Sequence, residues 1–148
     1  MYVIKHMLII RTPPEEVYLA LTTPNGLRGW WTVDVQTDDK LHVGSIIHFR
    51  FGNAFASDMS VEALKHNQLV KWKGLDVPPA WLNSEFSFEL VGDPLGTKLR
   101  FTQVYAEGAP LSEDDYGSFT YNWGWYLRSL KDLCEKGAGA PFGSAGNP

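Results

Sequence analysis

Apolar residues fall into two periods along this chain, and the switch between them marks its architecture. Between residues 32 and 107 the period is two. Ile47, Phe49 and Phe51 alternate with His48 and Arg50, and Met59, Val61 and Ala63 alternate with Ser60 and Glu62. Phe86, Phe88 and Leu90 alternate with Ser87 and Glu89, and Leu99 and Phe101 flank Arg100. Such alternation gives each strand one apolar and one wet face, as in an antiparallel sheet covered on one side. Turn signals separate the runs at Asp38-Asp39-Lys40, Gly44, Gly52-Asn53, His66-Asn67, Pro78-Pro79 and Gly92-Asp93-Pro94-Leu95-Gly96. About six strands are expected here, and the Val-, Ile- and Leu-rich first ten residues add one more.

Elsewhere the pattern is helical. Arg11-Thr12-Pro13-Pro14 ends the first strand and opens a short helix, with Thr12 as predicted N-cap and Glu15 and Glu16 at the positive end of the helix dipole. Thr23-Pro24 repeats the signal for a helix of one or two turns. The last element starts at Ser112, where Asp115 closes a capping box. Phe119, Trp123, Leu127, Leu130 and Cys134 then share one stripe, Tyr116 and Tyr126 flank it, and Gly137 stops it. Such a helix spans about 36 Å, enough to cross a curved sheet. The predicted fold is α+β, a curved antiparallel sheet of about seven strands with two short helices, gripping one long C-terminal helix. The strands carrying Phe49, Met59, Trp72, Phe88 and Phe101 are expected to face the helix stripe, with Arg50, Glu62 and Arg100 outward. Residues 1–137 form one domain, and the Gly- and Pro-rich residues 138–148 are expected to be a flexible tail.

Composition sharpens this reading. A chain of 148 residues supports one core, but 14% aromatic content, with six Trp and eight Phe, is high for that length. Something wide is being filled or lined. The net charge of −4 provides no broad positive field, which argues against nucleic acid or an anionic membrane surface as partner. No apolar run approaches the ~18 residues of a membrane span. Lys5 and His6 interrupt the N-terminal run before a signal-peptide core could form, and Cys134 has no second cysteine to pair with. These features point to a cytoplasmic protein with no membrane insertion.

A search for chemistry returns little. His6, His42, His48 and His66 never fall at a helical metal-ligand spacing, so neither metal nor cofactor is expected. Gly137-Ala138-Gly139-Ala140-Pro141 follows a helix instead of opening one, unlike a phosphate loop. Glu15, Glu16, Glu113, Asp114 and Asp115 sit in first helical turns, where the dipole accounts for them, Asp58, Glu62, Glu85 and Glu89 alternate with apolar strand residues and are expected to face water, and no catalytic residue is assigned. The inward aromatics either fill the core or line a cavity. The candidate ligand-binding set is Trp30, Phe49, Met59, Trp72, Trp81, Phe88, Phe101, Gln103, Trp123 and Tyr126. Trp30 and Trp31 are expected to diverge, one inward and one toward the surface or a partner. Gln103, Tyr105 and Tyr121 are candidates for orienting a ligand. The loop from Gly74 to Trp81 is either a cover over the groove or a rigid two-proline turn.

Three segments carry a resemblance. They are Arg11-Thr12-Pro13-Pro14-Glu15-Glu16-Val17-Tyr18-Leu19-Ala20-Leu21-Thr22-Thr23-Pro24, Leu27-Arg28-Gly29-Trp30-Trp31-Thr32, and Trp123-Gly124-Trp125-Tyr126-Leu127-Arg128-Ser129-Leu130-Lys131 with Glu135-Lys136-Gly137. With the element order, they make the chain similar to the START-like (birch-pollen-allergen-like, SRPBCC) superfamily and, within it, the homologues of the activator of Hsp90 ATPase. The resemblance implies the helix-grip fold. It leaves function broad, because the superfamily includes lipid carriers, polyketide cyclases and hormone receptors. The eukaryotic co-chaperone of this group has an additional N-terminal domain that contacts the chaperone. Nothing in this chain matches that domain, so chaperone contact is not expected. The leading expectation is non-catalytic binding of a small hydrophobic or amphipathic molecule between sheet and long helix. A cyclase- or hydrolase-type enzyme comes second and would need His6 or His48 to face inward. A co-chaperone-like interaction factor comes third, and a homodimer stays open.

Overall fold

In a computed structural model, which describes residues 1–147, the N-terminal apolar run forms β1 (Val3–Ile10). Two abutting helices follow, α1 (Pro14–Thr22) and α2 (Pro24–Trp30). The alternating region supplies β2 (Asp34–Gln36), β3 (Ile46–Phe51), β4 (Phe55–Lys65), β5 (Leu69–Gly74), β6 (Glu85–Asp93) and β7 (Gly96–Val104). A single 3-10 turn, Pro79–Trp81, lies between β5 and β6, and α3 (Glu113–Lys136) is the last element in chain order. The seven strands make one sheet in the order β1-β7-β6-β5-β4-β3-β2, each antiparallel to its neighbours. The α+β architecture is the one the two periods predict.

Local chemistry explains most element ends. The Thr23 hydroxyl accepts a hydrogen bond from Gly26 N at 3.0 Å and so caps α2. Ser112 and Asp115 form the reciprocal capping box of α3, and Gly137 closes that helix at φ 83°, where a side chain would be strained. The cap of α1 differs from expectation. Pro13 occupies the N-cap without any side-chain bond, and the Thr12 hydroxyl instead donates to the Cys134 carbonyl at 3.1 Å. Two consecutive prolines carry no N–H, so fewer donors at this end need a cap. Thr12 is thereby released to tie the β1–α1 corner to α3.

The core lies between the sheet and α3, and the alternation sets which side chains enter it. Ile47, Phe49, Met59, Val61, Val70, Trp72, Phe86, Phe88, Leu99 and Phe101 are buried, while Glu62 and Arg100 are exposed and Arg50 is half-buried on the outer face. Trp123 meets this layer from α3, with ring centroids 4.3 Å from Phe101, 6.0 Å from Phe86 and 6.4 Å from Phe88. Leu127 and Leu130 are buried on the same stripe, whereas Phe119 and Cys134 are only partly buried. Ala63 departs from its expected position. A bulge between Val61 and Ala63 shifts the phase of β4, so Ala63 is half-buried and Leu64 packs against the core.

Two further expectations fail. Trp30 and Trp31 do not diverge; both are buried, with rings 5.8 Å apart and nearly parallel. The helix ends at Trp30, and neighbouring residues at a helix end are not opposed as strand neighbours are. Both rings can therefore enter the same aromatic layer. Residues 138–147 do not lie free as a tail. Phe142 N donates to Trp31 O at 2.9 Å, Val33 N donates to Phe142 O at 3.1 Å, and Ala140 N donates to Ser129 Oγ at 2.7 Å. Glycine makes the close passage feasible, since a Cβ on Gly139 would lie 2.6 Å from Gly29 O and 2.7 Å from Ser129 O. The Phe142 ring, a single aromatic anchor in a Gly- and Ala-rich segment, packs edge-on against Phe51 at 5.6 Å.

Candidate functional site: an aromatic groove at the β3–β4 end

The aromatic layer is closed in the middle and open at one end. There, Phe51, Ala54 and Phe55 of the β3–β4 hairpin, Trp81 of the 3-10 turn, and Phe119, Trp123 and Tyr126 of α3 surround a groove of about 340 Å³. Trp31 and Phe142 complete its apolar wall, so eight of the eleven lining residues are aromatic. Ser118 and Asn122, one helical turn apart on α3, supply its side-chain hydrogen-bonding groups together with the Tyr126 hydroxyl. No charged side chain lines it. The volume lies at the small end of ligand pockets, roughly 300–1,000 Å³.

Each wall has a local cause. The hairpin brings Phe51 opposite Phe55, whose rings meet edge-on at 5.7 Å. Gly74 lets the following loop fold back, because a Cβ there would collide with the Trp81 carbonyl oxygen. Leu75 N donates to Asp58 O, and Asp58 N donates to Val77 O, both at 2.9 Å. The loop is thus pinned to β4, as a two-proline turn should be, and it presents Trp81 as a fixed wall 5.1 Å from Phe55. The α3 residues follow from helical spacing: Phe119, Trp123 and Tyr126 stand at i, i+4 and i+7.

The polar network behind the aromatic wall is structural. Trp123 Nε1 donates to Gln103 Oε1 at 2.9 Å, Gln103 Nε2 donates to Ser84 Oγ at 3.1 Å, and Ser84 Oγ donates to Val104 O at 3.1 Å. Trp81 Nε1 donates to the Tyr105 hydroxyl at 3.1 Å. Burial pushes the Tyr105 phenol above its ordinary pKa, a cost that the Trp81 bond partly offsets. Gln103 and Tyr105 therefore orient two tryptophans; neither lines the groove. Tyr121, the third polar candidate, is exposed on the outer side of α3.

Of the ten residues the sequence singled out, Trp81, Trp123 and Tyr126 line the groove. Trp30, Phe49, Met59, Trp72, Phe88, Phe101 and Gln103 are buried within the packed layer and do not border it. Trp72 Nε1 is buried there with no partner among the described residues. Sequence reasoning missed Trp31, Ala54, Phe55, Ser118, Asn122 and Phe142; it left Phe51 open between core and cavity lining, and it placed Phe119 only on the sheet-facing stripe of the helix. Helical spacing could have found Ser118 and Asn122, which sit one residue before Phe119 and Trp123. Nothing local could have found Phe142.

The remaining ionisable groups do not converge on the groove. His48 Nδ1 and Arg50 Nη1 each lie 2.8 Å from Asp58 Oδ1 on the outer face of the sheet. Burial raises the Asp58 pKa, but these two partners outweigh it and hold the carboxyl below its ordinary value. His6 departs from expectation by lying on the helix side of β1, where its Nε2 is 3.2 Å from Thr120 Oγ1; it does not line the groove. Burial pushes the Cys134 thiol up to about 12, with smaller contributions from Glu16 and Glu135, which keeps it a poor nucleophile. Among the described residues, no group of three or more His, Cys, Asp or Glu is placed to share a metal ion, and no helix is long and apolar enough to cross a membrane.

Comparison with known proteins places this geometry. A family model described as "Activator of Hsp90 ATPase homolog 1-like protein" matches residues 11–135. The solution structure of the Aha1 dimer from Colwellia psychrerythraea is 36% identical, with TM-score 0.80, covering 94% of this chain and 100% of that one. Protein MLL2253 from Mesorhizobium loti is 26% identical, with TM-score 0.75, covering 89% of this chain and 96% of that one. CalU16 from Micromonospora echinospora is 16% identical, with TM-score 0.67 over 99% of this chain and 74% of that one, a likeness of fold alone. No curated protein matches the chain significantly.

Proposed function

The chain belongs to the Activator of Hsp90 ATPase homolog 1-like family of the START-like superfamily, and from that premise we propose that its groove binds a small, uncharged apolar or amphipathic molecule without a covalent step. One observation carries the proposal: an open groove of about 340 Å³ walled by eight aromatic rings, in a layer that is otherwise closed. The rings offer stacking and edge contacts, and Ser118, Asn122 and Tyr126 offer a few directional bonds on one side. A carboxylate or phosphate head buried there would meet no counter-charge and would pay its desolvation uncompensated. The ligand accordingly enters with a neutral, flat portion first.

The test is a panel of fatty acids, sterols and flavonoids, read by tryptophan fluorescence and melting temperature. Trp31, Trp81 and Trp123 line the groove, so an aromatic occupant is expected to quench emission. A ligand specific for the folded state stabilises it by about 2.7 kcal/mol at one hundred times its Kd. Phe119→Glu, on the half-buried rim, should abolish both signals while leaving the fold intact. Unmoved fluorescence and melting temperature across the panel would sink the proposal.

A second reading, self-association as a homodimer, is favoured by a separate observation: the 36% identical solution structure is described as a dimer and is covered along its whole length.

A further inference from the structure

Resting on the homodimer reading, we infer that the free edge of β1 is the dimer interface, pairing antiparallel with β1 of a second copy in a register centred on His6. The sheet has two edge strands. β2 has three residues, whereas β1 has eight. Tyr105 N donates to Tyr2 O, which fixes the alternation: even-numbered residues of β1 turn their backbone groups toward β7, and Val3, Lys5, Met7 and Ile9 turn theirs outward. An open edge of this length is a template for another strand unless it is blocked.

It is blocked only at its ends. The Tyr116 hydroxyl donates to Val3 O, and Lys131 Nζ donates to Ile9 O, both reaching over from α3. Between them, the N–H and C=O of Lys5 and Met7 have no partner among the described residues. Alongside lies a groove of about 280 Å³ bordered by His6, Met7, Leu8, Gly124 and Leu127 together with the cationic Arg128 and Lys131. Space remains beside Gly124: even an added Cβ there would meet only the His6 ring, at 3.6 Å. Inward side chains of an added strand have room there.

The caps select the register. A two-fold pairing of Lys5 with Lys5 of the second copy sets two ammonium groups face to face. Pairing Met7 with its own copy puts Lys5 opposite Ile9, and those flanking pairs need the Ile9 carbonyl, which Lys131 already holds. Pairing Lys5 of each copy with Met7 of the other uses only the free groups and makes four backbone hydrogen bonds. It brings the two His6 residues opposite each other as a non-hydrogen-bonded pair and avoids a like-charge contact.

Sedimentation of the full chain over a concentration series tests both levels. Wild-type protein is expected to show a monomer–dimer equilibrium. Met7→Pro removes an outward N–H without touching the β7 ladder, and should weaken the dimer on the order of tenfold or more while circular dichroism stays native. Two further variants do not depend on tolerating proline, since Met7 is 59% exposed. Met7→Lys faces Lys5 of the other copy and should weaken association, whereas Met7→Glu should preserve or tighten it. A wild type that stays monomeric overturns the homodimer reading and this interface together, leaving the edge to a strand of a different chain. A wild-type dimer whose constant is the same in all three variants overturns the interface alone and moves the dimer to another face.

Discussion

At the middle of the sheet, Trp31 stacks on Trp72 at 6.1 Å and Trp123 closes on Phe101 at 4.3 Å, so Phe88 and its neighbours are fully enclosed. At the β3–β4 end, Phe55, Phe119, Tyr126 and Phe142 have the same kinds of side chain, yet remain half-buried around the groove. Residue type does not separate these regions. Rings from α3 and the sheet meet in both regions, Phe55 with Phe119 at 6.0 Å and Phe51 with Tyr126 at 6.2 Å at the groove end; what separates the regions is that the central rings are covered on every side, whereas those at the β3–β4 end leave open space between them. Covered aromatic residues stabilise the fold; the partly covered ones become the wall of a groove.

The sharpest way to break this comparison is to truncate one ring from each region. Phe88→Ala should cost about 3–5 kcal/mol in urea unfolding, from lost burial plus a cavity. Phe119→Ala should cost only about 1 kcal/mol, since its ring already borders open space. Equal losses would mean that the groove end is as tightly packed as the middle. Next in size is Gln103→Leu, which strips Trp123 Nε1 of its acceptor deep in the core and should cost about 1–3 kcal/mol by the same measurement. A loss below about 0.5 kcal/mol would show that the tryptophan finds another partner.

Phe142→Ala probes the seam between the regions. Its backbone bonds to Trp31 and Val33 survive truncation, so stability should fall by about 1 kcal/mol while ligand uptake changes through the widened wall. The smallest effect is on the outer face, remote from both. Asp58 is held below its ordinary pKa by Arg50 and His48, so its contribution is complete above the unfolded value of about 3.9 and fades as pH falls through the lower folded value. Asp58→Asn should therefore flatten the stability profile below about pH 4. An unchanged acid limb in urea titrations at successive pH values would show that the ion pairs add nothing.

Much of the fold is legible in the sequence because its signals are local. Alternation along β3, β6 and β7, the Ser112–Asp115 box and Gly137 each depend on neighbours a few positions away. The site is less legible. Trp81, Trp123 and Tyr126 were found, but seven other candidates proved to be enclosed, since period two states which face a side chain takes and not whether anything stands opposite it. The bulge at Val61/Ala63 turned Leu64 toward the core with no local signal to announce it.

By itself, then, the sequence determined about seven strands and the facing of most of their residues, the length and ends of the long helix, and the surplus of aromatic rings on the inward side. Tertiary structure alone decided which of those rings close on one another and which stand around a groove, because that depends on how side chains from α3, the hairpin and the 3-10 turn meet in space. It also decided that Trp30 and Trp31 share one layer, and that a Gly-rich segment returns to place Phe142 in the wall. Those outcomes rest on contacts between residues far apart in the chain, such as Trp31 and Trp123 or Thr32 and Phe142, which no local period encodes.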